Sequence, residues 1–231
     1  LKGKKALVVG ASSGIGSACA VALAEHGASV TLAARRKDRL IRLADKMNKK
    51  NWDTNILEMN IANVEETSRL ISGCEQFDIL VNSAGLARHS KSLDTSVEDF
   101  DTVMNINLKG AYFLTQAVAK KLFSMGKTGS LINISSQMGL VGGQERAVYC
   151  SSKHAVEGFT KAMAIEYGPA NIRINTICPT FILTDMTKAT FDDPEKRAWV
   201  ESKIKLGRVG AVQDIMGAVV YLASDASSLV T

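Results

Sequence analysis

Val9-Gly10-Ala11-Ser12-Ser13-Gly14-Ile15-Gly16 follows the apolar run Ala6 to Val9 and leads directly into Ile15, Ala18, Cys19, Ala22 and Leu23 at helical spacing. A short β-branched run, a glycine-rich turn and an amphipathic helix form the opening of a βαβ unit. Glycine lets backbone amides approach an anion closely, and the helix start offers unsatisfied N–H groups and the positive end of a dipole. The stretch therefore reads as a pyrophosphate cradle, a dinucleotide-binding site. Its spacing, G-x-x-x-G-x-G, departs from the G-x-G-x-x-G fingerprint, so its place between a first strand and a helix carries as much weight as the glycines.

The same rhythm continues along the chain. Ala6 to Val9, Ser29 to Ala33, Asn55 to Met59, Asp78 to Val81, Ser130 to Ile134 and Arg173 to Cys178 are mostly continuous apolar runs and read as buried strands. Helical patterns separate them at Lys37 to Asn48, Val64 to Ser72, Phe100 to Ser124 and Val148 to Tyr167. Strand alternating with helix predicts an α/β fold, a doubly wound parallel sheet covered on both faces by right-handed crossovers. No linker or internal repeat divides the 231 residues, so the expectation is a single dinucleotide-binding and catalytic domain over 1–231.

Composition narrows the class. With 46% hydrophobic and 22% charged residues the chain can bury an ordinary core, and no apolar run nears the roughly 18 residues of a membrane span. A soluble protein with no membrane partner is expected. Lys2 to Lys5 and the apolar stretch after it imitate a secretory signal, but Gly10, Gly14 and Gly16 interrupt that stretch. Cys19, Cys74, Cys150 and Cys178 form no Cys-x-x-Cys pair and have no histidine at ligand spacing, so neither disulfides nor a metal site is expected and a reducing, cytoplasmic compartment follows.

Net charge is +5, and the segment Arg35 to Lys50 alone carries +6. A nucleic-acid face would carry recognition-helix or aromatic character, which is not visible here, so no nucleic-acid partner is expected. The second strand ends in Ala33-Ala34-Arg35-Arg36, where a carboxylate would accept a ribose 2′-hydroxyl. Arg35 offers instead a planar cation suited to a 2′-phosphate, which favours NADP(H) over NAD(H). The alternative is that both arginines only solvate the next helix.

Tyr149 and Lys153, four apart in the Val148 to Tyr167 helix, share one face. A nearby ammonium favours the ionised phenol, bringing it toward useful acid or base strength. Ser135 and Ser136 follow the fifth strand at the edge where ligands bind in open α/β sheets.

Gly10-x-x-x-Gly14-Ile15-Gly16, Asn82-Ser83-Ala84-Gly85, Asn107-Leu108-Lys109-Gly110, Ser135-Ser136 and Tyr149-Cys150-Ser151-Ser152-Lys153 stand in the order of the short-chain dehydrogenases/reductases, and the chain resembles that family over essentially its whole length. The resemblance implies a Rossmann-like fold and a catalytic tetrad of Asn107, Ser136, Tyr149 and Lys153. Ser136 is chosen because the family's serine lies thirteen residues before its tyrosine. In that analogy Tyr149 protonates the substrate oxygen, Ser136 holds the developing oxyanion, Lys153 lowers the tyrosine pKa and binds the nicotinamide ribose, and Asn107 anchors a water in the proton relay. An amide bonded to a neighbouring strand is the other role open to Asn107, and the two roles could coexist. Cofactor contacts are implied for Gly10, Ser12, Ser13, Gly14, Ile15, Gly16, Arg35, Arg36, Asn60, Ile61, Asn82, Ala84, Gly85, Tyr149, Lys153, Pro179, Thr180, Ile182 and Thr184.

Four positions depart from the family pattern: Val9 stands for a threonine, Ser83 for a second asparagine, Asn60 for an aspartate and Pro179-Thr180 for Pro-Gly. Ser135-Ser136-Gln137 through Tyr149-Cys150-Ser151, Pro179-Thr180 and Ala189 to Lys196 are similar to the L-xylulose (dicarbonyl) reductase group. Residues 184–203 are expected to form a substrate flap. Its charged residues, with Gln137, Gln144 and Arg146 before the tyrosine, suggest a small α-dicarbonyl, ketose or polyol, in preference to the rival 3-oxoacyl carrier-protein reductase activity. A non-enzymatic dinucleotide sensor is a remote alternative. Family members usually continue past the position of Leu229-Val230-Thr231 with a final strand, so the functional protein is expected to be longer and a homotetramer.

Overall fold

The computed structural model describes all 231 residues in backbone, and all but residues 189–190 in side chain. Six parallel strands, β1 (Lys5–Val9), β2 (Ser29–Ala34), β3 (Thr54–Glu58), β4 (Ile79–Asn82), β5 (Gly129–Ile134) and β6 (Ile172–Ile177), lie in the order β3-β2-β1-β4-β5-β6. Period-two alternation divides β1 between two cores. Ala6 and Val8 face a layer with Leu23 and Ala20 of helix α1 (Gly14–Glu25), Leu40 of α2 (Lys37–Asn48) and Val219 of α9 (Gln213–Ala223). Leu7 and Val9 face the opposite layer, with Ile71 of α3 (Val64–Gly73), Leu114 and Val118 of α5 (Ala111–Ser124) and Met163 of α6 (Ala147–Tyr167).

The strand order reverses between β1 and β4, and the loops leaving their C-terminal ends part to either side. A crevice therefore opens at the point where α/β sheets bind ligands. Gly10 at φ +84 turns the chain there, and a Cβ on it would lie 2.7 Å from the Ser83–Ala84 backbone. Gly16 is tighter still, since a Cβ would come within 2.2 Å of the Gly10 carbonyl oxygen. Helix α1 can start against the end of β1 only because that atom is missing. Gly16→Ala is accordingly expected to destabilise the fold by about 2–3 kcal/mol; an unchanged urea midpoint would show that the turn yields freely.

Two expectations from the sequence need correction. Phe100 to Ser124 is not one helix: α4 (Val97–Met104), capped by the Ser96 hydroxyl on the Asp99 N–H at 3.1 Å, passes through a π-helical stretch Asn105–Gly110 into α5. Close packing accompanies the change, since a Cβ on Gly110 would lie 2.7 Å from the Ile61 carbonyl oxygen. Strand β3 is not buried, because it forms the sheet edge and leaves Asn55, Ile56 and Glu58 exposed. At the other edge, Thr231 Oγ1 accepts the Ile174 N–H at 3.0 Å and Asn175 Nδ2 donates to the Val230 carbonyl at 2.9 Å, so residues 230–231 lie beside β6. No seventh strand is present among the described residues. The flap region contains α7 (Lys188–Phe191) and α8 (Pro194–Lys203), the latter started by Asp193, which accepts the N–H groups of Glu195 and Lys196. The side chains of Ala189 and Thr190, part of the expected flap, lie outside the described residues. Among those described, no helix is long and apolar enough to cross a membrane, no acidic, His or Cys cluster could hold a metal, and the four cysteines are free.

Candidate active site

The crevice is built first from the glycine turn. The N-cap of α1, Ser13, caps no amide, and the first turn contains no acidic residue, so the helix start and its dipole are left to an anion in the crevice. The Ser12 and Ser13 hydroxyls accept instead from the Arg36 guanidinium at 2.7 and 3.0 Å. Arg35 and Arg36 both line the same crevice. Arg36, expected as a cofactor contact together with Arg35, therefore also braces the turn. Gly14, Ile15, Asn60, Ile61, Ala84 and Gly85 complete this side, with Thr184 lying across Gly14 at 3.4 Å from where a Cβ would stand. Asn60 Oδ1 accepts the Ala62 N–H at 3.2 Å, fixing the turn after β3 without a charge.

At the inner end stand the four residues expected to carry chemistry. Lys153 is buried in the wall of the crevice, and its Nζ donates to the Ile134 carbonyl at 2.9 Å. Asn107, on the π-helical stretch, uses its whole amide to hold the chain after β4. Its Oδ1 accepts the Leu86 N–H at 2.9 Å and its Nδ2 donates to the Leu86 carbonyl at 2.8 Å and to Ser152 Oγ at 3.2 Å. The amide is thus bonded as expected of a structural role, with the loop after β4 and not a strand as its main partner. Ser136 Oγ accepts the Met138 N–H at 3.1 Å. Tyr149 stands between the crevice and a second, smaller pocket, contributing to the walls of both.

The second pocket is lined by Ser136, Gln137, His89, Arg146 and Thr180 with the apolar Met138, Phe181 and Met186. His89 meets Tyr149 edge to face at 6.1 Å between centroids and bonds to the Arg146 guanidinium. Burial, and then the Arg146 charge, hold the His89 pKa below its ordinary value, so its ring is neutral at pH 7.

Electrostatics reverse one expectation. Burial pushes the Tyr149 phenol above its ordinary pKa, outweighing the Ser136 hydroxyl and the Arg146 charge, which pull it down. The Lys153 Nζ lies 5.8 Å from the ring centroid, and its own pKa is lowered by burial from 10.5 to about 8. Desolvation therefore governs both groups here, and the tyrosine is a protonated phenol at neutral pH.

Other expected site residues sit elsewhere. Asn82 is buried beneath the crevice, donating to Asn133 Oδ1 at 3.1 Å and accepting the Ala84 N–H at 3.2 Å, so it shapes the loop without lining the site. Gly16 is a packing glycine. Ile182 belongs to the core and bridges to Gly210, Thr180 faces the second pocket, and Pro179 lines neither cavity. The charged side chains of α8 do not surround the carbonyl position: Asp193 caps the helix and Arg197 bonds to Glu201 along it. Asp185, an expected flap charge, lines the cofactor crevice, and Gln144 is exposed away from both cavities. Of the flap, Met186 and Thr187 reach the second pocket. His89, Phe181 and Met186 were not anticipated. They are single residues in loops, and only the topology brings them opposite the start of α6.

A family model described as enoyl-(acyl carrier protein) reductase matches residues 10–231. The chain belongs to the short-chain dehydrogenase/reductase family. As a member of that family it is an oxidoreductase. It is 38% identical to the 3-oxoacyl-[acyl-carrier-protein] reductase of Rickettsia felis and 34% identical to the L-xylulose reductase of Bos taurus, covering in each case 100% of this chain and 93% of the relative. A crystal structure of a gluconate 5-dehydrogenase from Burkholderia cenocepacia in complex with NADP and tartrate superposes with a TM-score of 0.96 at 30% identity, covering 100% of this chain and 92% of that one.

Proposed function

We propose that the protein is an NADP(H)-dependent carbonyl reductase of small polar substrates, such as α-dicarbonyls and ketoses, with polyol oxidation as the reverse reaction. The observation that carries this reading is the position of Tyr149 as the partition between a dinucleotide-shaped crevice and a compact pocket with Ser136, Gln137, His89 and Arg146 on its walls. The crevice suits NADP(H): free amides at the α1 start receive the pyrophosphate, and Arg35 and Arg36, which follow β2 in place of an acidic residue, meet the 2′-phosphate. Bound NADPH supplies the hydride. Tyr149 gives its proton to the substrate oxygen, Ser136 donates to the oxygen as charge develops on it, and Lys153 holds the ribose hydroxyls and restores the phenol's proton. Asn107 keeps Leu86 and the loop after β4 in place beside them.

A homotetramer in the cytoplasm is part of the same reading. It is supported by the family and by the exposed apolar side chains Val97 and Phe100 on α4 and Phe123 on α5. The second reading, a 3-oxoacyl carrier-protein reductase, draws on the 38% identity to the Rickettsia felis enzyme and on the exposed Leu183, Met186, Trp199 and Leu206 around the flap.

The test is NADPH oxidation with a panel of diketones, ketoses and acetoacetyl thioesters. The small polar class is expected to give the higher kcat/KM, since pocket groups that bond hydroxyls are left unpaired by an acyl chain. A clear thioester preference moves the protein to the second reading, and inertness toward every carbonyl supports a sensor. In the same assay the preference for NADPH over NADH is expected to fall about 10- to 100-fold in Arg35→Ala/Arg36→Ala, the scale of bonds to a charged phosphate. Equal use of both cofactors by the unmodified enzyme would reduce these arginines to surface charges.

A further inference from the structure

Among the described residues two charged side chains are buried, Lys153 and Glu157, and they stand one turn apart on the same face of α6. Resting on the reductase reading, we infer that Glu157 is a positioning residue for the reaction: its carboxylate keeps Lys153 an ammonium while a carbonyl is reduced, and so sets which direction the enzyme favours at neutral pH. The two groups form no direct ion pair. Lys153 Nζ donates to the Ile134 carbonyl at 2.9 Å, whereas the Glu157 oxygens turn to β6 and the chain just after it, Oε2 accepting from Thr176 Oγ1 at 2.9 Å and Oε1 from Cys178 Sγ at 3.3 Å. Both oxygens accept and neither donates, the pattern of an ionised carboxylate.

A buried carboxylate is costly, and the bonds from a hydroxyl and a thiol could be met by an uncharged amide of the same shape. Its charge acquires a use only through the field it sets up at Lys153, across an interior where opposite charges act over a full helical turn. The 3-10 stretch Gln137–Gly139 closes that interior: a Cβ on Gly139 would lie 3.0 Å from the Lys153 carbonyl oxygen and 3.1 Å from Glu157 Cγ, so the stretch packs on α6 against both residues. The other titratable groups near the pair carry no charge at pH 7. Burial, and then the Glu157 charge, hold the Cys178 thiol above its ordinary pKa, and burial does the same to the Tyr149 phenol. Lys161, one turn beyond Glu157, is exposed. Burial favours the neutral amine at Lys153, and Cys178 and Glu157 oppose it; with Cys178 a neutral thiol, the opposing charge present at pH 7 is that of Glu157. Reduction needs the proton that Lys153 returns to the phenol, so a group that holds this proton in place favours reduction and hinders the reverse oxidation.

Glu157→Gln keeps the shape and removes the charge. For the full chain with NADPH and a carbonyl from the panel above, the alkaline limb of the reduction profile is expected to move down by about one pH unit, with the rate at pH 8 falling about fivefold. Oxidation of the corresponding alcohol with NADP, which starts from the proton-poor site, is expected to rise about fivefold at pH 7. Glu157→Asp keeps the charge and should hold both limbs near those of the unmodified enzyme. A loss of equal size at every pH, or limbs that stay in place in Glu157→Gln, would reduce the carboxylate to a fastening between α6 and β6 and overturn the inference. A thermal-melting cycle at pH 7 on the cofactor-free protein reads the same coupling without turnover. Glu157→Gln is expected to lower the melting temperature of the unmodified chain, where it strips the ammonium of its counter-charge, and to raise that of Lys153→Met, where it removes a carboxylate with nothing to oppose. Equal shifts in the two backgrounds overturn the inference. Should Glu157→Gln alone fail to fold, cooperative melting of the Lys153→Met/Glu157→Gln protein supports the coupling, and failure of both overturns it. Inertness toward every carbonyl would strike the reductase reading, and the melting cycle would then decide the coupling by itself.

Discussion

Tyr149→Phe is expected to lower kcat about a thousandfold or more while leaving NADPH affinity within a few-fold. The phenylalanine ring fills the same partition between the two cavities, so the loss falls on the proton and not on packing. Tyr149 is the group that can supply this proton. Its phenol is held protonated by burial, whereas His89, with its ring centroid 6.1 Å away, is held neutral by burial and by Arg146. Lys153, whose Nζ lies 5.8 Å from the ring centroid, donates to the Ile134 carbonyl and stands to resupply the phenol. Single-turnover rates with pre-bound NADPH check the expectation. Tyr149→Phe activity near that of the unmodified enzyme, or a larger loss in His89→Ala, would transfer the donor role to the histidine.

The residues that revealed themselves in the sequence are those whose function depends on neighbours close along the chain. The glycine turn is one case: Gly10 must turn at positive φ and Gly16 must clear the Gly10 carbonyl, and both constraints lie within seven positions. The strand pattern is another, because the two cores of β1 are written in adjacent residues. Long-range contacts were less legible. Asn82 belongs to the expected motif, yet its amide serves Asn133 on the adjoining strand and the loop at Ala84, so the motif gave its neighbourhood but not its role. The α4–α5 boundary was hidden because a π-helical stretch keeps the composition of a helix while shifting its face. Charge counting along the flap failed for a related reason: a helix turns side chains away from the site, and Asp193 and Arg197 spend their charges within α8. Arg146 was visible as a polar residue near the tyrosine, but its bond to His89, 57 positions away, exists only in three dimensions.

Lys153→Met is expected to abolish turnover and, at the same time, to raise the thermal stability of the cofactor-free protein at pH 7. The lysine's pKa is lowered from 10.5 to about 8 because the folded chain encloses its amine, so at pH 7 folding must bury a charge. A gap of this size corresponds to about 3 kcal/mol against the folded state, an upper figure because the bond to the Ile134 carbonyl is lost with the amine. Between pH 8 and 10.5 the unfolded chain holds the proton more tightly than the folded one, so this penalty is present in full below pH 8 and fades as the pH rises toward 10.5. Lys153→Met should therefore melt several degrees above the unmodified protein at pH 7, and the gap should narrow through that window. Glu157, buried one turn further along α6 and bonded to Thr176 Oγ1 at 2.9 Å, stabilises the ammonium without cancelling the cost. Such a cost is retained where an ammonium must wait, already positioned, for the ribose and the phenol. Melting curves across pH on both proteins decide it: a Lys153→Met variant no more stable than the parent at pH 7 would mean that the amine is solvated in the free protein, and that its charge is not held in reserve for the cofactor.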